Sequence, residues 1–447
     1  MLYNRKLRAS TGGWRGAGGQ RVTTEIVPTT DAAQPHEPPH RNDWRVLLVL
    51  FTLAGVVESQ AFGHLQAFTP LYLQQLHVPL AQVPTWTGIL AALQFVIGLP
   101  LLPFWGIWAD RYSRKLIIVR TAYIEGVLFT VAALSPNVWV LAVARLLGGF
   151  VFGNTGVMLA LLADVTPRKR LGLAVGIASA GFPLGASIGP FFGGLIAQGP
   201  GIRTLLFVDA CLSAAMGVVL TLVVREERRV AAVTGTVRAL LRAALHDILD
   251  SPVVVRLFVV YFAASFGISQ VVPFIPILLQ QLYHGPQARL PGVIGATLTG
   301  AGIAMAITTP LWGRLGDLVG RWRVLPLCIG AVAIGIACEG FAASLAPLQA
   351  AIIGVGLFQG GIGTTVIALL ALRAPEGRRA SILNFSLMPT QLSWLFGPIT
   401  GAVLARVALR LPFAASALTL AVATALAVLA GLLARSIPHE QPATHTL

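Results

Sequence analysis

Charge is scarce in this chain. Asp, Glu, Lys and Arg make up 11% of its 447 residues, where a soluble protein carries about 25%. With 55% hydrophobic residues and a mean hydropathy of +0.77, it has too little polar surface to enclose a water-soluble body, so soluble α/β architectures are excluded. Acidic residues are scarcer still, 17 against 32 basic ones, for a net charge of +15. A nucleic-acid partner would call for one continuous basic patch. Here the basic residues fall in short clusters between apolar runs, the topology signal of a membrane protein. Cysteine numbers three, Cys211, Cys328 and Cys338. All lie within apolar runs and are read as small buried thiols, with no disulfide framework and no metal site. The chain has no Walker sequence, so ATP does not drive it. Met1 to Arg41 lacks an apolar core and is not a signal peptide; polar, basic and rich in Gly, Thr and Pro, it reads as disordered. Gly185-Ala-Ser-Ile-Gly189 matches a nucleophile elbow, but it lies within an apolar run without the strand–turn–helix setting that elbow needs. No enzyme is expected.

Long apolar runs are what the chain has instead. Twelve are long enough for the roughly 20 helical residues that cross a bilayer. They are Val46–Phe68, Thr85–Trp108, Leu116–Leu134, Val138–Leu162, Gly172–Ala197, Thr204–Val224, Val253–Leu278, Gly292–Trp312, Val324–Phe341, Leu348–Leu370, Ser381–Val407 and Pro412–Leu433. Six and six agree with an internal repeat. Pro103-x-Trp105-Gly106-x-x-x-Asp110 returns 207 positions later as Pro310-x-Trp312-Gly313-x-x-x-Asp317. Pro70-Leu-Tyr-Leu-Gln-Gln-Leu76 returns as Pro276-Ile-Leu-Leu-Gln-Gln-Leu282, and Gly189-Pro190-x-x-Gly193 as Gly397-Pro398-x-x-Gly401. The fold class is therefore an all-α polytopic membrane protein, 12 transmembrane helices in two six-helix bundles made by tandem duplication. Its parts are a tail over 1–44, a bundle over 45–224, a linker over 225–251, a second bundle over 252–435 and a tail over 436–447. Within the linker, Val237, Leu240, Leu241, Ala244, Leu245, Ile248 and Leu249 share one face of an expected amphipathic helix.

Orientation follows from Lys and Arg. Seven lie in the tail by Arg45, and further clusters fall at Arg111 to Lys115, Arg168 to Arg170, Arg225 to Arg242, Arg314 to Arg323 and Arg373 to Arg379. All are on one side of twelve crossings. The opposite loops hold only Arg203, Arg289, Arg406 and Arg410. Both termini are expected in the cytoplasm, with the chain multi-pass in the cell membrane.

These halves, joined by a basic-side loop, resemble the major facilitator superfamily from about Arg45 to Arg435. Gly106-x-x-x-Asp110-Arg111-x-Ser113-Arg114-Lys115 is similar to that superfamily's gating motif between helices two and three, with Ser113 at a usual glycine. The second copy has Gly313, Asp317, Gly320 and Arg321, with Leu318 where an arginine would stand. A small residue one turn from a carboxylate lets a neighbouring helix approach and gives its positive end an anionic partner. In the fifth segment, Gly181-x-x-x-Gly185-x-x-x-Gly189-Pro190-x-x-Gly193-Gly194 resembles the signature of the drug:proton antiporter branch. Its spacing of four lines glycines along one face for close helix packing. Arg145-x-x-x-Gly149 resembles the family's arginine motif, and Pro70-Leu-Tyr-Leu the end of helix one in multidrug and tetracycline exporters. The resemblance implies proton-coupled efflux of lipophilic drugs or related small molecules by alternating access. A metabolite symporter or facilitator shares the fold and is the alternative.

Ionisable groups at membrane depth are costly, and are kept for function or for pairing. The candidates are Glu58, His64, Glu125, Arg145, Asp209 and Glu339. The repeat places Ala264, Val332, Ile352 and Ser416 opposite Glu58, Glu125, Arg145 and Asp209, so the charge is concentrated in the first half. Glu58 and Glu125 are the expected proton carriers, with Arg145 tuning them and Asp209 as a further candidate. A fixed Glu125–Arg145 ion pair is the alternative, as is snorkelling of Asp209 and Glu339 near helix ends. Gln60, Phe62, Gln94, Phe95, Phe152, Asn154, Tyr261, Phe266, Gln270, Gln359, Asn384, Gln391 and Trp394 are candidates to line an apolar, aromatic substrate cavity. No cofactor is expected beyond the proton gradient. The expected partners are a small-molecule substrate, protons and the bilayer, with no nucleic acid, and the chain acts as a monomer. Asp110→Asn should weaken substrate transport in cells while leaving expression largely intact, because a conformational contact is lost rather than a packing one.

Overall fold

The structure, a computed structural model, describes residues 42–225, 242, 246, 248–374, 382 and 385–435, except the side chains of Pro103, Gly106, Ile107, Asp110 and Arg435. Residues 1–41 and 436–447, Asn384, the side chain of Asp110, and Val237, Leu240, Leu241, Ala244 and Leu245 of the face expected in the linker therefore lie outside the described residues; of that face, Ile248 is buried and Leu249 exposed. Among the described residues the chain is helical, with no strand. The helices are α1 (Trp44–Gln75), α2 (Val83–Arg111), α3 (Arg114–Ala133), α4 (Val138–Leu147), α5 (Asn154–Val165), α6 (Leu171–Gln198) and α7 (Ile202–Val223). The second half adds α8 (Pro252–Val271), α9 (Ile275–Leu282), α10 (Leu290–Leu315), α11 (Arg321–Phe341), α12 (Leu345–Arg373), α13 (Met388–Ala405) and α14 (Leu411–Arg435). Among the described residues, ten helical stretches are long and apolar enough to cross a bilayer. One of them, Gln287–Phe341 with 55 residues, contains both α10 and α11, well over twice what one crossing needs.

Local chemistry sets the helix ends. Asp43 accepts from Arg45 N at the start of α1, Ser113 from Leu116 N at the start of α3, and Asn137 from Trp139 N and Val140 N at the start of α4. Each satisfies donors that a helix start leaves free. Ser113, the departure from the gating motif, is thus the N-cap of α3.

Three runs expected to be continuous are interrupted. Val138–Leu162 divides into α4 and α5, because Gly148–Val151 tightens to a 3-10 turn and Gly153 turns left-handed at φ +88°. Val253–Leu278 divides at a 3-10 turn over Val272–Phe274, where Pro273 and Pro276 remove two backbone donors. In Ser381–Val407 a turn at Phe385–Leu387 separates helical Ile382 from α13, which begins at Met388 with Pro389 in its first turn. Proline is tolerated there because the first-turn N–H has no helical partner.

Glycine decides which helices touch. On α6, Gly181, Gly185, Gly189 and Gly193 lie against Thr52, Val56 with Ser59, Gln60 and His64 of α1. A Cβ at Gly189 would sit 2.8 Å from Gln60 Cα. The repeat does the same in the second half, where a Cβ at Gly397 would sit 3.1 Å from Gln270 N and one at Gly401 would strike Gln270 O of α8. The halves join through the same two helices. Gly194 of α6 packs on Pro291 of α10, Gly295 on Pro190, and Gly88 of α2 on Pro398 of α13. At the end away from the basic clusters, Gln74 and Gln280 exchange two hydrogen bonds of 2.8 and 3.0 Å. They are repeat equivalents, and equivalent residues that contact each other reciprocally lie beside the axis relating the halves.

Gly185→Val should sharply lower the yield of monodisperse protein on size-exclusion chromatography, since its Cβ meets the Val56 carbonyl and Ser59 hydroxyl; forced overpacking costs about 1–3 kcal/mol. Gly176→Val on the same helix, where a Cβ meets nothing within 4 Å, should elute as the unsubstituted protein does.

Candidate proton and substrate site

The interruption between α4 and α5 organises the centre of the first half. Gly149 lets its backbone press on α2, where a Cβ would lie 2.7 Å from both Gln94 O and Gly98 N. Gly98 in turn leaves room for the Phe152 ring, and Gly153 for Trp105. A chain that leaves helical geometry exposes carbonyls that need donors, and α3 supplies them. Arg120 Nη2 donates to Phe152 O at 3.2 Å, and the Thr121 hydroxyl is shared between Ile117 O of its own helix at 3.3 Å and Val151 O at 3.5 Å. The Arg120 guanidinium lies 3.4 Å from the centre of the Trp105 ring, a cation–π stack. Among the described residues its Nε and Nη1 have no partner.

The turn delivers Asn154 to Glu58. Asn154 Nδ2 donates to Glu58 Oε2 at 3.4 Å, while Asn154 Oδ1 and the Nε2 of buried Gln94 have no partner among the described residues. Glu58 is half-buried near the middle of α1. Beside it runs a chain of rings from both halves. Phe152 lies 5.3 Å from Phe95, Phe95 stacks on Trp394 of α13 at 6.4 Å and 16°, and Trp394 meets Phe62 of α1 edge-on at 6.4 Å. Of the expected cavity residues, Phe62, Gln94, Phe95, Phe152, Asn154 and Trp394 gather around this turn. Gln60 packs on Gly189, Tyr261 and Gln270 are buried in α8, and Gln359 is half-buried in α12. A groove of about 660 Å³ lies elsewhere, at the ends of α2 and α4 away from the basic clusters, lined by Thr85, Trp86, Ile89, Trp139 and Arg406.

The remaining intramembrane charges are placed as follows. Glu125 is buried on α3, beside Ser213 and within electrostatic reach of Glu58 and Asp209. Arg145 is buried and donates through Nε to Leu90 O at 2.9 Å. Among the described residues it forms no ion pair with Glu125, so the fixed pair weighed from the sequence is absent. Asp209 and Glu339 are each 1% exposed. Neither reaches the surface, as snorkelling would require. Among the described residues Glu339 Oε2 has no partner, whereas Asp209 is bonded to His64 Nδ1 at 2.9 and 3.0 Å, with His64 Nε2 2.9 Å from Gly189 O.

At the basic end, Arg114 pairs with Asp164 of α5, and Lys115 Nζ donates to Thr221 O of α7 at 2.6 Å. Arg111 lies over the Tyr112 ring at 5.6 Å. In the second copy Gly313 ends α10 against Thr364, and Asp317 binds Arg321 within a π-turn at Gly316–Gly320. Sequence reasoning missed Arg120, whose signal was a basic residue beyond the Arg114–Lys115 cluster and already inside an apolar run. It also named His64 and Asp209 separately without pairing them.

Repeated halves packed through matching glycine contacts define a multi-pass helical membrane protein whose buried ionisable groups are concentrated in one half. The Major Facilitator Superfamily model matches residues 51–295 and 290–446, and the chain belongs to that transporter family. It is 27% identical over 367 residues to the multidrug resistance protein MdtG of Yersinia enterocolitica, spanning 81% of this chain and 87% of that protein. MdtG of an Escherichia coli strain is 26% identical over 372 residues, 83% of this chain and 90% of the relative. In fold it is similar to a bacterial homolog of the human lysosomal transporter Spinster in an inward-facing, unoccupied conformation, with a TM-score of 0.72, 15% identity and coverage of 87% and 97%. The nucleoside transporter NupG gives 0.69, 12%, 88% and 100%.

Arg120→Ala should lower the apparent melting temperature by several degrees and reduce transport at least fivefold, because two carbonyl-facing donors become one and the Trp105 stack is lost. Thermal-shift and uptake measurements on purified protein check this.

Proposed function

We propose that the chain is a proton-coupled exporter of lipophilic, cationic drugs or related small molecules, working by alternating access. The observation that carries it is Glu58, a half-buried carboxylate beside a ring cluster built from both halves. Aromatic faces and a carboxylate together attract an apolar cation, and the same carboxylate binds a proton. Drug and proton therefore exchange at one group without meeting each other. The similarity to multidrug resistance proteins supports the efflux direction. Twelve crossings, obtained by counting α4 with α5 and α8 with α9 as single interrupted spans, put every basic cluster on the cytoplasmic side and both termini with them. The exporter needs no bound cofactor, since the proton gradient of the cell membrane supplies the work, and one chain contains both halves of the cycle. The gating-motif residues act at the cytoplasmic face, and the Gln74–Gln280 bonds close the outer one.

In everted vesicles Glu58→Gln should abolish drug-driven proton movement for cationic compounds, and a protonophore should stop transport by the unsubstituted protein. Cation transport by Glu58→Gln at the unsubstituted rate, with the same pH profile, would show Glu58 to be structural. Cysteines placed at Gln74 and Gln280 in a background without native cysteines should cross-link and block transport, with reduction restoring it. Transport surviving the cross-link counts against opening at this point.

A further inference from the structure

Resting on the proton-coupled reading, we propose that His64 and Asp209, hung from the Gly189 carbonyl, form a second proton site in series with Glu125 and Glu58. The hydrogen-bond geometry fixes the proton count. His64 Nε2 faces a carbonyl, which only accepts, so Nε2 keeps its hydrogen. Nδ1 faces both oxygens of the Asp209 carboxylate, so one proton lies between them, on nitrogen or on oxygen, and the pair is neutral. It takes up one more proton on carboxylate oxygen. When that O–H bond breaks and an O–H bond forms on Glu125, the pair returns to neutral.

Placement gives the site its direction. His64 is six residues beyond Glu58 on α1, about 9 Å further from the basic end. Asp209 is seven residues into α7 from the opposite end. The pair therefore stands between Glu58 and the face away from the basic clusters. Glu125 is the titratable neighbour on α3, whose next residue Gly126 packs on α7 beside Asp209, where a Cβ would lie 3.5 Å from Ala210 O, and its charge is within reach of Asp209 and Glu58. Few other charges lie on the helices around it: α6 and α9 carry none, α2, α5 and α10 bring only Asp110, Arg111, Asp164 and Arg314 at the basic end, and α3 adds Arg114 and Lys115 there and Arg120, which is turned to Phe152 O. Arg145 of α4 is turned to Leu90 O, and Arg203 of α7 to Ser135 O.

The second half shows that packing does not require this chemistry. Gln270 and Ser416 stand at the positions equivalent to His64 and Asp209. There the corresponding helices are tied by hydroxyls, with Ser416 Oγ donating to Gly267 O and Ser269 Oγ to Ser393 O. The same fold position is filled without a titratable group.

The test copies that solution into the first half, as the double variant His64→Gln with Asp209→Ser. The expected result is a protein that elutes and melts as the unsubstituted one does and binds a fluorescent lipophilic cation within twofold. Its drug-driven proton flux, measured by pH quench in proteoliposomes, should fall at least fivefold, with a flattened pH profile. Unchanged flux and pH profile would overturn the proposal and leave the pair a packing contact. If the double variant fails to fold, His64→Gln with Asp209→Asn keeps the side-chain sizes and is read in the same way. Failure of both to fold also overturns it, since the pair would then be needed for packing. Absence of drug-driven proton flux in the unsubstituted protein would remove the proton-coupled reading itself, and this inference with it.

Discussion

Close approach of α6 to α1 is the contact on which the rest depends. Without side chains at Gly185, Gly189 and Gly193, the two backbones come near enough for Gly189 O to reach His64. In a bilayer the solvent is as apolar as the side chains, so burial alone does not hold helices together, and packing and hydrogen bonds must. The same α6 then offers Pro190 and Gly194 to α10, so one glycine-rich helix binds its own half and the partner half. A methyl group at any of these positions would act on the site and on the join between the halves together.

A second constraint is the backbone accounting at the centre of the first half. The chain leaves helical geometry at Gly148–Gly153, and α3 meets the freed carbonyls with Arg120 and Thr121. That exchange places Asn154 against Glu58 and Phe152 against Phe95. The turn therefore has no counterpart in a uniform bundle: it is where a scaffold of crossing helices acquires a local geometry able to hold a charge.

The helical class, the two-fold repeat and the glycine face of α6 were legible in the sequence because each is periodic. Apolar length reports a crossing, an offset reports duplication, and a spacing of four reports one face of a helix. The interruption after Leu147 was less legible, since the glycines of Gly148-Gly149 are also common in unbroken membrane helices. Pairing was not legible at all. His64 and Asp209 are 145 positions apart, and nothing in either segment announces the other. Arg145 shows the converse, because an attractive charge pairing with Glu125 on paper gave way to a backbone carbonyl on α2.

The amides of Gln74 and Gln280 present each other with one donor and one acceptor. Parting them separates no charge, and water can replace both bonds at once. At a net ~1 kcal/mol per hydrogen bond, two bonds bias the resting population by about 30-fold, since ~1.4 kcal/mol is tenfold. A salt bridge on the same axis would answer to ionic strength, and a larger apolar seam would raise the barrier to opening. An amide pair does neither, so parting the two helix ends at this point is nearly independent of ionic strength.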